Sequence, residues 1–103
     1  MAKLDNMNNV CSLSTYALQF YNRVKRMPAR EDGTSKVDPA ALSELLDVAE
    51  RLGVVKRFNR AVSGVVFIQK EREIVTGKLP LKHTEALAAA AYIKNQARRH
   101  CNR

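Results

Sequence analysis

The segment from Asp38 to Gly53 leaves this chain the least freedom in how it folds. Asp38 is a good helix N-cap, and Pro39 suits the first helical position, where its missing N–H has no intrahelical role. Leu42, Leu45, Leu46, Ala49 and Leu52 then form an unbroken apolar face at helical spacing. Gly53 stands where a left-handed residue closes a helix. The opposite face of this helix carries Glu44, Asp47 and Glu50 and is acidic.

Two further helices are predicted on either side. Leu13, Ala17, Phe20, Val24 and Met27 recur at i, i+4, i+7, i+11 and i+14, with Ser12 or Ser14 as cap and Met27-Pro28 as the stop. Near the C-terminus, Thr84 is placed to cap and Glu85 falls in the first turn, where a carboxylate suits the helix dipole. Ala86, Ala89, Ala90, Ile93 and Ala97 follow as the buried face, and the slim run from Ala88 to Ala91 lets another helix approach closely. Residues 28–36 read as a loop, and residues 1–11, polar and Asn-rich, as a flexible leader without the apolar core of a secretory signal.

The stretch after Gly53 admits two readings. As a helix, Val55, Phe58, Val62, Val65 and Ile68 keep a helical period, with Ser63-Gly64 as its weak point. As strands, residues 53–57 and 64–68 make a short β-hairpin around a polar loop. The helical reading is preferred because Phe58, Ala61 and Val62 carry the period through the supposed loop. The expected fold is thus mainly α: one domain over residues 12–103, a bundle of about four helices. The alternative is an α+β domain with a hairpin at 54–68, an arrangement that loosely resembles the tail of a winged-helix domain. That alternative meets a difficulty, since the helix it would press into a DNA groove is the acidic one ending at Gly53.

The chain has 103 residues and a formal net charge of +8, and the charge is uneven. Residues 39–53 hold one basic and three acidic side chains, whereas residues 54–103 hold eleven basic and three acidic ones. Such asymmetry points to an electropositive side and an anionic partner. The plainer reading is that excess Lys and Arg keep a small protein soluble. The longest apolar run, Val65 to Ile68, is far below the roughly 20 residues of a membrane span. Cys11 and Cys101 lie at opposite ends with no CxxC partner. They read as reduced thiols of a cytoplasmic protein, with a bridge between the termini as the other option.

Signatures of catalysis fail on inspection. Gly77-Lys78 resembles the end of a phosphate-binding loop, but Arg72 occupies the position of its first glycine and Leu79 that of its Ser/Thr. His83 and His100 have no nucleophile motif to serve, and His100-Cys101 supplies only two of the four ligands a zinc site takes. The chain therefore reads as a non-enzyme without metal or cofactor.

Three basic clusters remain. They are Arg23, Lys25, Arg26 and Arg30 at the end of the first helix; Lys56, Arg57 and Arg60; and Lys94, Arg98, Arg99 and Arg103. Of these, Arg23, Arg26, Lys56, Arg57, Arg60, Lys94, Arg98 and Arg99 are the candidate nucleic-acid contacts. Arg and Lys neutralise phosphates, and six to ten such contacts give affinity without base reading. Arg23 and Arg26 share their face with Gln19, Asn22 and Arg30, opposite the apolar stripe. The expected function is binding of DNA or RNA through the phosphate backbone, as a regulatory or accessory factor in a bacterial or viral cytoplasm. The rival is a protein-binding inhibitor or adaptor that turns its basic surface to an acidic protein partner. The Ala-rich face of the last helix offers a homodimer seam.

Overall fold

The structure is a computed structural model that describes residues 7–55, 57–59, 67–70, 73–76 and 82–102. For Pro39 and the three short middle stretches it describes the backbone only. The protein is mainly helical, with α1 (Val10–Arg26), α2 (Pro39–Arg51) and α3 (His83–Cys101).

Local chemistry accounts for each helix end. Asn9 caps α1, its side-chain oxygen accepting from the N–H groups of Cys11 (2.8 Å) and Ser12 (3.1 Å). The helix thus begins before the expected Ser12 or Ser14 cap, because Asn9, three residues upstream of Ser12, accepts from the N–H groups of Cys11 and Ser12 and opens the helix about one turn earlier. Met27 leaves helical geometry (ψ 130°) ahead of Pro28. Asp38 caps α2 by accepting from the Ala40 N–H (3.0 Å). Gly53 closes that helix at φ 77°, its N–H donating to Glu50 and that of Val54 to Ala49. This is the paired closing pattern in which a glycine takes the left-handed position.

α3 starts at His83, one residue before the expected Thr84 cap. The connection between α1 and α2 holds that end: the His83 N–H donates to the Gly33 carbonyl (3.0 Å), and Thr34 and Lys82 form an isolated bridge. The Glu85 carboxylate accepts from the Lys82 N–H (3.1 Å). Within the loop, Thr34 donates to the Asp32 carboxylate through its N–H and its hydroxyl. These bonds hold the Asp32 carboxyl below its ordinary range.

One core joins the three helices. α1 contributes Leu13, Ala17, Phe20 and Val24; α2 contributes Leu42, Leu45, Leu46, Val48 and Ala49; α3 contributes Ala86, Ala89, Ala90, Tyr92, Ile93 and Ala97. Each fully buried leucine contributes about 1.5–3 kcal/mol through water exclusion. α1 packs chiefly on α3, whose alanines admit the bulkier α1 residues. Met27 and Leu52, expected at the ends of the apolar faces, are only half-buried there.

The two helices run antiparallel, because the first turn of α1 is bonded to the last turn of α3. The Cys11 and Cys101 sulfurs form a disulfide, with Cα atoms 4.8 Å apart. This corrects the reading of both cysteines as reduced thiols. Antiparallel packing brings together residues 90 apart in the chain, which their spacing alone does not disclose. Met7 also packs against the core, and its carbonyl accepts from Arg51, so the leader is anchored from residue 7 onward.

Between α2 and α3 the described backbone is extended, not helical. β1 (Arg57–Asn59), β2 (Phe67–Lys70) and β3 (Glu73–Thr76) form a sheet of order β1-β3-β2. β2 and β3 are antiparallel, pairing Phe67 with Thr76 and Lys70 with Glu73, while β1 runs parallel to β3. The expected fourth helix is therefore not found at 57–59 or 67–68. Of the expected hairpin loop at 58–63, Phe58 and Asn59 fall in β1 and residues 60–63 lie outside the described residues; the antiparallel pair that is seen joins residues 67–70 to 73–76. β-branched and aromatic residues fit a pleated sheet, and pairing across the chain overrides an apolar period that suits a helix equally well. Among the described residues, no helix is long and apolar enough to cross a membrane.

Candidate nucleic-acid interface

The α1 helix that buries Leu13, Ala17, Phe20 and Val24 exposes the opposite row. Thr15, Gln19, Asn22 and Arg26 recur at the same i, i+4, i+7 and i+11 spacing, and all four are exposed. None of the 17 residues of α1 is acidic.

The two edges of this row carry cations held by aromatic rings. On one edge, the Arg23 guanidinium lies over the rings of Tyr16 (6.0 Å) and Phe20 (5.6 Å), which are themselves stacked 6.5 Å apart. On the other, the Lys94 ammonium of α3 lies 4.3 Å above the Tyr21 ring. Such contacts contribute about 0.5–1 kcal/mol at exposed sites. Their larger effect is to fix where a long, flexible cation stands.

The second edge extends along α3. Lys94, Arg98 and Cys101 recur at i, i+4 and i+7, so they share a face of α3. Lys94 touches Tyr21 and Cys101 is bonded to Cys11, which places Arg98 between them on the side of α3 that borders α1. Lys25, exposed on α1, lies on the same edge beyond Tyr21. Arg99 is exposed but turned about 100° away around α3, outside this arrangement. Arg30 also departs from the expected set. Pro28 has ended the helix before it, and its guanidinium donates to the Ser35 carbonyl (2.6 Å) in the loop.

Of the predicted contacts, Arg23, Arg26, Lys94 and Arg98 thus border one helix face. Cys11 and Cys101 mark one end of the pair, so Arg98 and Arg26 are separated by roughly 18 Å along the helix axes at 1.5 Å per residue. Lys56, Arg60 and Arg103 lie outside the described residues, and Arg57 opens β1, where only the backbone is described. Leu18, 46% exposed, stands between Cys11 and Tyr21 on the α3 edge of α1. Its exposure was not anticipated, and the interleaving of α1 with Lys94 and Arg98 had only one sequence signal, the spacing of those two residues to Cys101.

The surroundings of this face differ from it. A groove of about 210 Å³ opens beside Arg23, between Tyr16 and Phe20 of α1 and Val37, Asp38 and Ala41 at the start of α2. Beyond it, Glu44 and Asp47 are exposed on α2.

No protein-family model matches the chain, and no curated protein or solved structure matches it either.

Proposed function

We propose that this protein binds nucleic acid through the basic face formed by α1 and the adjoining edge of α3. The observation that carries the reading is a solvent-facing helix with no carboxylate in its 17 residues, bordered on both sides by ring-held cations. Arg23, Lys25, Arg26, Lys94 and Arg98 present five positive charges to one polyanion. Each phosphate they neutralise releases condensed counterions, which makes affinity fall steeply with salt. Arg99 is expected to matter less than Arg98, because it stands off the row. The role fits a regulatory or accessory binding factor and asks for no catalytic step.

The test is fluorescence anisotropy with labelled duplex DNA and a structured RNA over a range of salt concentrations. Binding in the micromolar range or tighter, with a steep salt slope, is expected. Arg98→Glu weakens it, and Arg99→Glu weakens it less. Absence of binding at low salt sinks the reading. Reductant opens the Cys11–Cys101 bridge and leaves the apolar α1–α3 contacts to hold Arg98 in place. The titration is therefore run with and without reductant.

A second reading has one observation in its favour. Leu18 supplies an apolar anchor at the edge of the basic face, as a surface for an acidic protein partner would. Loss of a captured protein, with no change in nucleic-acid binding, on Leu18→Asp would favour it.

A further inference from the structure

We infer that α1 is a base-reading helix for duplex DNA, with Gln19, Asn22 and Arg26 as the residues that set sequence preference. The inference rests on the nucleic-acid reading above and goes beyond backbone contact.

The argument begins with which residues form the outward row. Phosphate binding alone asks for cations, yet the middle of the row is neutral: Thr15, Gln19 and Asn22 precede Arg26, and the other cations stand to the sides. Amide side chains pair bidentately with adenine, offering an acceptor to N6–H and a donor to N7, and an arginine fork donates to both O6 and N7 of guanine. The Thr15 hydroxyl already donates to the Cys11 carbonyl (3.3 Å), so its methyl is the group it has to offer a thymine methyl. A row of these types bordered by Arg23 on one side and Lys94 and Arg98 on the other has base-edge groups in the centre and phosphate partners at the rims. That division matches the way phosphate contacts position a protein and base contacts specify its site.

Dimensions agree. A helix with its side chains is about 10–12 Å across, and the major groove of B-form DNA is about 12 Å wide. From Thr15 to Arg26 the row runs about 16 Å at 1.5 Å per residue, or four to five base-pair steps at about 3.4 Å. The major groove of duplex RNA is too deep and narrow for a helix to read, which singles out DNA. α2 is unsuited to the same task, because Glu44 and Asp47 on its outer face would meet the phosphates.

The experiment is selection of the full chain on a random-sequence duplex DNA library, followed by anisotropy on the enriched site and on a scrambled duplex. Enrichment of a motif of four to five base pairs is expected. Asn22→Ala and Gln19→Ala should each lower affinity for that motif about tenfold and leave affinity for the scrambled duplex unchanged. Circular dichroism on both variants verifies that α1 remains folded. Binding without enrichment overturns the inference while leaving backbone binding intact. So does enrichment that both alanine variants retain, or binding confined to RNA. Failure to bind any nucleic acid overturns this inference and the reading beneath it together.

Discussion

Helices α1 and α2 obey the same internal rules. Each is opened by an Asx side chain, Asn9 or Asp38, that accepts backbone N–H groups, and each buries a stripe of apolar residues against the same core. Their outer faces diverge: Gln19, Asn22 and Arg26 on α1, Glu44 and Asp47 on α2. Burial fixes the inner faces, because a buried polar group there is costly. Exposed charges change stability little, so the outer faces are free to follow function. The difference between two similarly built helices therefore says more about the partner than the net charge of +8 does.

The largest way to break the parallel lies in the covalent tie, which α1 has and α2 lacks. The bridge closes a loop of about 90 residues, and the chain-entropy model assigns such a cross-link about 4–5 kcal/mol. Replacing Cys11 and Cys101 together by Ser should lower stability by about that much in urea denaturation. Hydrogen exchange should rise more in the first turns of α1 than in α2. Equal loss of protection in both helices would mean that the bridge acts on the fold as a whole.

Inner faces should respond alike. Leu13→Ala on α1 and Leu45→Ala on α2 each remove a fully buried side chain, and each is expected to cost about 3 kcal/mol. A difference above about 1 kcal/mol between them would show that one site relaxes around its cavity and the other does not.

Outer faces should respond oppositely. Arg26→Glu is expected to weaken duplex binding and to relax the preference for the enriched site. Glu44→Gln should leave both unchanged or slightly improved, and neither change should shift stability by more than about 0.5 kcal/mol. Equal effects of the two on binding would erase the distinction between the helices.

Smaller effects test the caps and the loop that joins the two helices. Asn9→Ala and Asp38→Ala should each cost about 1 kcal/mol. Thr34→Ala should raise the Asp32 titration midpoint seen by NMR, since it removes the hydroxyl bond that chiefly holds that carboxylate down and keeps the backbone N–H bond. Because the folded value is depressed, the stabilising contribution of Asp32 is present above its unfolded value. It is lost as pH falls through the folded one. The acid limb of the stability curve should therefore flatten slightly in the Thr34→Ala variant.

Sequence by itself determined the three helices and their inner faces. Caps, closing residues and i, i+4 periodicity act within a few residues, so Asp38, Gly53, the Met27-Pro28 step and the stripe Leu13–Ala17–Phe20–Val24 carry their meaning locally. It also supplied the candidate face, since Gln19, Asn22, Arg23 and Arg26 share it on any α-helix. Tertiary structure alone decided what crosses the chain. It brought Lys94 and Arg98 to the edge of α1 and left Arg99 outside, and it joined Cys11 to Cys101. It also paired Phe67 with Thr76 where an apolar period had suggested a helix. These outcomes depend on how slim the alanines of α3 are, on its antiparallel direction and on strand pairing between distant residues. The gain from each such contact appears only once the chain has closed on itself, and no local pattern records it.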